Sequence, residues 1–242
     1  MTRSSTIPRV ASLLFSLLMA GCSQGSDIEN RTFDAEVRRV VVDVAVGDIN
    51  VRGSQRVGAA LLGEMYSDTA MSLGIDAKLV DDTLHVSANC PAGSGECWAG
   101  LRLDVPQHAE VSIAAGHGDV DVTDLLGDLH VSTGAGSVVL LGVGGTVRVE
   151  ADGGDVMGAN LLRGDTWATS ESGDISLAFA EPPLVAGLGS VHGTVSLTVP
   201  RSQYDLFVDS VEGELDIGVH HCRAADQQLF ARSVYGDVLV HH

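Results

Sequence analysis

A glycine-led segment recurs seven times between residues 109 and 242, and it constrains the fold more than any other feature of the chain. Each copy continues as a short alternating run, such as GDVDV, GDISL or GDVLV. A second alternating segment, such as EVSI or DLFV, lies upstream of each glycine, and the two openings are nine or ten residues apart. The return to the next upstream segment varies from nine to 14 residues. A corner of nearly constant length beside a corner of variable length is typical of stacked coils in which insertions loop out at one edge. The glycines are Gly118, Gly136, Gly154, Gly173, Gly193, Gly213 and Gly236.

Alternation with a period of two favours strands over helices in both segments. The first apolar position after the glycine is filled by Val120, Val138, Val156 and Ile175 in four successive repeats. Small β-branched side chains suit a narrow interior between pleated walls, so we expect these four to form one aliphatic column. The sequence therefore predicts an all-β fold, a parallel β-solenoid of the single-stranded β-helix type with coils of ~19 residues.

The chain is expected to divide into four parts. Residues 1–21 are predicted to be a signal peptide, 22–33 a polar tether, 34–108 a β-rich N-terminal cap and 109–242 the solenoid. Residues 38–53, RRVVVDVAVGDINVRG, repeat the solenoid pattern early, which predicts an eighth coil or a capping strand pair there. The segment from 57 to 105 alternates out of register, with a hairpin turn expected at Asp81-Asp82. We expect this cap to shield one open end of the solenoid.

The N-terminal segment indicates export. Arg3 and Arg9 precede an apolar run that ends at Gly21-Cys22 and is too short to span a membrane. The ending LLMAGC resembles the bacterial lipobox, which implies that Cys22 becomes the lipid-modified first residue. The alternative is ordinary secretion with cleavage near Ala20. Ser23 resembles the arrangement sorted to the outer membrane in enteric bacteria. The expected location is therefore the bacterial cell envelope, at the surface or the periplasmic face of the outer membrane, with lipid as the membrane link.

Three cysteines remain if Cys22 carries lipid. Cys90 and Cys97 flank a short loop, and an oxidising compartment favours a disulfide between them. Cys222 is then left as a buried thiol or an intermolecular partner.

The formal net charge of −18 argues against nucleic acid and anionic lipid as partners. Two metal interpretations are open but not favoured, and no cofactor is predicted. The recurring Gly-Asp pair, with Asp119, Asp155, Asp174 and Asp237, is typical of turns, and the alternative is a calcium ladder. The run His220, His221 and Cys222 indicates a solvated loop, and the alternative is a zinc site.

An apolar row is predicted on the outward side of the upstream segments. Trp167, Val185, Phe207 and Phe230 occupy positions in the last four repeats where a solvent-facing strand would carry polar residues. Such a stripe is either covered by the same chain, through a loop such as the insertion HHCRAADQ or through the cap, or is a contact surface for a protein or glycan.

Several segments resemble the bacterial domain family named "putative adhesin" over residues 36–242. They are VGDINVRG near residue 47, the LVDDTLHV hairpin and the junction LRLDVPQHAEVSIAAGHGDVDV. The resemblance implies a β-solenoid and offers no catalytic residue. The expected role is non-enzymatic, an adhesin-like interaction or scaffold at the envelope. The alternatives are a periplasm-facing module for envelope stress or assembly and, ranked lower, a polysaccharide-active β-helix enzyme.

Overall fold

Residues 25–67, 74–90 and 96–242 are described by a computed structural model. In these ranges the chain consists of strands and turns, and none of it forms a helix that could cross a bilayer. The predicted signal peptide and the lipid-modified Cys22 lie outside the described residues.

Twenty strands form the described structure. The N-terminal ones are β1 (Gly25–Phe33), β2 (Arg39–Ser54), β3 (Ala59–Ser67), β4 (Ile75–Val80), β5 (Thr83–Ala88) and β6 (Cys97–Pro106). The upstream segments form β7 (Glu110–His117), β9 (Leu129–Ala135), β11 (Val147–Gly153), β13 (Asp165–Ser172), β15 (Val185–His192), β17 (Tyr204–Glu212) and β19 (Gln227–Tyr235). The glycine-led segments form β8 (Val120–Thr123), β10 (Val138–Leu141), β12 (Val156–Leu161), β14 (Ile175–Phe179), β16 (Val195–Thr198), β18 (Leu215–Ile217) and β20 (Val238–His241).

Each repeat contributes one strand to each of two parallel sheets, which we call the upstream sheet and the glycine-led sheet. Val138 pairs in register with Val120 on one side and Val156 on the other, and Val156 pairs with Ile175. All four side chains are completely buried. The predicted aliphatic column and the β-solenoid fold are therefore confirmed.

The glycine corner shows why the repeat begins with glycine. A Cβ atom built on Gly136 would lie 2.1 Å from the carbonyl oxygen of Gly118, and Gly136 has a φ of 130°. Any side chain here would clash with the neighbouring coil and force an unfavourable backbone conformation.

The coils do not stack in the order in which they occur in the chain. Strand β15 pairs with β19, and β19 pairs with β17; in the other sheet β16 pairs with β20, and β20 with β18. The coil made last, β19 and β20, therefore lies between the two coils that precede it. At the other end, β2 lies between the coil β5/β6 and the coil β7/β8. The stacking order therefore departs from the order of the strands in the chain at both ends.

Antiparallel strands cover the N-terminal end. Strand β3 pairs with β6 and β1 with β3, while β4 and β5 form a hairpin whose turn contains Asp81 at φ 55°. Strands β2, β5 and β6 are coils of the solenoid, so the covering part is narrower than the cap predicted over 34–108. Residues 25–33, assigned to the polar tether, are instead strand β1. This edge strand pairs with β3 through its backbone, and its side chains can remain in solvent, as Ile28 does at 67% exposure. A largely polar sequence can therefore form this strand.

A disulfide joins Cys90, after β5, to Cys97 at the start of β6, with the two Cα atoms 5.8 Å apart. It connects the upstream and glycine-led strands of one coil. Cys222 is a free, half-buried thiol.

Candidate functional site

The outward row of the upstream sheet contains three stacked aromatic rings. In register along the stack lie Arg148, Trp167, Gly187, Phe230 and Phe207. The ring centroids of Trp167 and Phe230 are 5.7 Å apart, and those of Phe230 and Phe207 are 4.8 Å apart. We call Trp167, Phe230 and Phe207 the aromatic row.

Val185 does not belong to the aromatic row. It pairs with Asp165 and Gln228, two residues before the row position, which Gly187 occupies. The inward positions of this coil are correspondingly Ala186 and Leu188, both buried, while Leu184 is exposed. The segment LVAGL is apolar on both sides of the strand, so alternation did not define its register.

Gly187 is what allows the indole to reach Phe230. A Cβ atom on Gly187 would lie 2.1 Å from Cε3 of Trp167, so the indole lies across the glycine and meets the ring on the next coil. Three rings thus span four coils without a gap. Sequence reasoning missed Gly187 because a glycine carries no hydrophobic signal.

The aromatic row is solvent-accessible. Trp167 is 42% exposed and Phe207 is 50% exposed. The long insertion after β18, one of the expected covers, follows the edge of β17 instead, where His221 bridges Tyr204. Nδ1 of His221 accepts the Leu206 amide at 3.1 Å. This histidine therefore stabilises a strand edge.

The orientation of the rings limits what they can bind. Phe207 and Phe230 are nearly parallel, at 9°, and Trp167 is tilted 24° from Phe230. Because the rings face one another along the stack, the faces between Trp167 and Phe230 and between Phe230 and Phe207 are covered, and the central ring presents its edge to solvent. A sugar ring binds best on an open aromatic face, whereas a ridge of ring edges suits the apolar side chains of a protein surface.

Charged groups border the aromatic row. Arg148 lies one coil before Trp167 in the stack, and its Nε donates to Oε1 of Glu150 at 2.7 Å. At the other end of the row, Nε of Arg232 lies 3.5 Å from Oδ2 of Asp209, two residues after Phe207. An apolar ridge with a charged rim is the usual composition of a protein contact surface.

The Gly-Asp corners form a hydrogen-bonded ladder between coils. In each case Oδ1 of the aspartate accepts the backbone amide of the equivalent residue in the next coil, at 2.7 to 3.0 Å. The pairs, acceptor first, are Asp48 and Asp119, Asp119 and Ser137, Asp155 and Asp174, Asp174 and Thr194, and Asp237 and Glu214. The aspartates thus accept hydrogen bonds from the next coil, whereas the sequence pattern suggested bonds within their own turn.

The two metal interpretations have no structural counterpart among the described residues. Among them, no three His, Cys, Asp or Glu side chains converge as metal ligands would. On the outward side of the glycine-led sheet, Asp121 and Asp216 belong to coils separated by β10, β12, β14, β16 and β20. These two acids are therefore too far apart to act as a carboxylate pair.

Neither the protein-family models nor the curated proteins contain a match to this chain. Similar solved structures include a "putative cell adhesion protein" from Clostridium sporogenes, 9% identical, with a TM-score of 0.40 over 90% of this chain and 99% of that one. A "putative adhesin" from Bacteroides fragilis is 13% identical, with a TM-score of 0.39 over 89% and 97%. Another from Parabacteroides merdae is 13% identical, with a TM-score of 0.34 over 88% and 95%.

The chain is similar to bacterial proteins named as adhesins. At these identities and TM-scores the similarity assigns no function, and the fold is established by the strand pairing described above.

Proposed function

We propose that the protein is a non-enzymatic, lipid-anchored rod of the bacterial cell envelope, with an adhesin-like role in binding another protein. The observation that carries the proposal is the aromatic row, in which three large rings stack on one another at the surface of an acidic chain. Large aromatic side chains exposed together are typical of contact surfaces. The chain is acidic and repels anionic headgroups, which supports lipid attached at Cys22 as the membrane link.

The contact surface is tested by capture from native membranes. The full chain is used as bait beside the double variant Trp167→Ser/Phe207→Ser. Met157→Ser is the matched control, because Met157 is 44% exposed on the opposite, glycine-led sheet. A protein retained by the original chain and by the control, but lost from the double variant, supports the proposal. Identical capture by all three chains contradicts it.

The membrane link is tested separately with Cys22→Ser. The original chain should partition into the detergent phase of a two-phase extraction, and the variant should move to the aqueous phase. Equal partitioning of both would contradict the lipid anchor and favour secretion with cleavage near Ala20.

Orientation distinguishes the adhesin-like role from a periplasmic one in envelope stress or assembly. Protease added to intact cells should digest a rod that faces outward and leave a periplasm-facing rod uncut until the outer membrane is opened. Digestion of the protein on intact cells supports the adhesin-like role.

A further inference from the structure

The two ends of the rod differ in cover. Among the described residues, strands β1, β3 and β4 pack beyond the coils at the N-terminal end, whereas no strand lies beyond β17 and β18. We call the coil formed by β17 and β18 the open end.

Side chains that belong to the core emerge into solvent at the open end. Leu215 is in register with Val238 and Val195, and it is 49% exposed while both valines are completely buried. Ile217 is likewise 44% exposed, whereas its partner Val240 is completely buried. The exposure comes from position in the stack, since the residue types are those of the core.

The backbone of the open end is also available for pairing. The carbonyl of Glu214 accepts the Val238 amide, and the amide of Gly218 donates to Val240, so the even-numbered residues of this strand face β20. Because hydrogen-bonding groups alternate along a strand, the amides and carbonyls of Leu215 and Ile217 face outward. In β17, the Tyr204 carbonyl and the Leu206 amide bond to the insertion outside the sheet, and the same alternation directs Val208 and Ser210 outward.

The charge of the open end selects its occupant. Residues 204–226 contain six acids and one arginine, and Glu212, Glu214 and Asp216 are exposed. A second copy meeting this end would bring like charges together, and a head-to-tail copy would meet the covered N-terminal end. Electrostatic complementarity instead favours a cationic segment.

We propose that the open end binds an extended, cationic polypeptide segment as an additional β-strand. Apolar side chains at alternate positions of that segment would cover Leu215 and Ile217. Lysine or arginine at the intervening positions would lie beside Asp216, on the solvent-facing side of the sheet. Backbone pairing supplies affinity and the alternation supplies specificity, as in other cases of strand addition to a sheet edge. Phe207 of the aromatic row lies in β17, but Trp167 lies three coils from the open end, so the variant Trp167→Ser should bind the segment unchanged.

The test measures binding of two fluorescent synthetic peptides, acetyl-KVKVKVK-amide and acetyl-EVEVEVE-amide, to the full chain in detergent by anisotropy. The cationic peptide should bind at least tenfold more tightly than the acidic one. Binding should weaken at least tenfold in Leu215→Lys/Ile217→Lys and stay unchanged in Met157→Lys, which adds a lysine at a similarly exposed apolar site in the middle of the rod. A second variant, Glu214→Lys/Asp216→Lys, changes only outward acids and should remove the preference for the cationic peptide.

Three outcomes would overturn the proposal. They are absence of binding, equal binding of both peptides by the original chain, and equal binding of the cationic peptide by Leu215→Lys/Ile217→Lys and the original chain. A dimer that Leu215→Lys/Ile217→Lys dissociates, detected by analytical ultracentrifugation, would identify a second copy as the occupant instead.

Discussion

Oδ1 of Asp237 accepts a hydrogen bond from the backbone amide of Glu214 at 2.8 Å, although Glu214 comes earlier in the chain. Oδ1 of Asp174 makes the same bond with Thr194 in the next coil toward the open end. The aspartate ladder runs in one direction along the stack. The coil of Asp237 therefore lies one position further from the open end than the coil of Glu214. The C-terminal strand pair is thus held within the stack, and an internal segment forms the end.

This order predicts unequal losses of stability for two similar core truncations. Val240→Ala should lower the free energy of unfolding by about 2 kcal/mol, because it removes buried methyl groups and leaves a cavity between two coils. Ile217→Ala should cost less than about 1 kcal/mol, because nearly half of that side chain is already exposed. Urea unfolding of both variants measures the difference. If the coils stacked in sequence order, the smaller loss would belong to Val240→Ala.

The aspartate ladder predicts a small, local contribution to stability. Asp174→Ala removes the acceptor of the Thr194 amide and should lower the free energy of unfolding by about 1 kcal/mol, a value reduced by solvent exposure. Asp174→Asn retains an acceptor oxygen and should recover part of the loss. Asp121→Ala, on an outward acid of β8, is the control and should have little effect.

The same ladder predicts stability that does not depend on calcium. One oxygen of each ladder aspartate is already bonded to a backbone amide, and calcium requires six to eight oxygen ligands. The thermal midpoint should be the same in EDTA and in millimolar CaCl₂. A midpoint that rises with calcium would restore the calcium ladder as the explanation of the Gly-Asp repeat.

Tyr204 predicts a loss of stability at alkaline pH. Its side chain is completely buried at the start of β17, where its hydroxyl donates to the Pro200 carbonyl at 2.7 Å, and burial raises its pKa to about 12. The unfolded value is about 10, so the folded state holds this proton more tightly. The resulting stability is complete below pH ~10 and is lost as the pH rises towards 12.

Comparison with Tyr204→Phe isolates this effect. The stability difference between the original chain and the variant should shrink as the pH rises from about 10 to 12. Absorbance titration of the original chain should also show a tyrosine that ionises near pH 12 and that is missing from Tyr204→Phe. A difference independent of pH would contradict the raised pKa.

The repeat predicted the fold because the same physical requirement acts at every coil. Glycine is required where Gly136 meets the Gly118 carbonyl, and an aliphatic residue is required where Val138 lies between Val120 and Val156. Periodic requirements leave a periodic sequence. The order of the coils leaves no such record, because Val240 and Ile217 suit an interior coil and an end coil alike.

The candidate site was less predictable, since it depends on register. Trp167, Phe207 and Phe230 were identified because large apolar residues replaced polar ones in clearly alternating strands. Val185 was misplaced because its strand has small apolar residues on both sides. The open end was missed because Leu215 follows the core pattern, and its exposure arises only from the absence of a neighbouring coil among the described residues.

Gly187 predicts that the aromatic row can be disturbed without altering the core. In Gly187→Ala the added methyl group would meet Cε3 of Trp167 at 2.1 Å, so the indole must move away from Phe230. The backbone of Gly187 is not in the left-handed region, so alanine fits the strand itself. In a Trp98→Phe background, where Trp167 is the remaining tryptophan, the fluorescence of Trp167 should shift to longer wavelength as its solvent exposure rises.

Gly189→Ala is the matched control, because a methyl group there has only an ordinary contact, 3.9 Å from Cγ2 of Thr169. The control should leave the fluorescence unchanged, and an equal shift in both variants would mean that the coil, not the stacking of Trp167 on Phe230, had been disturbed.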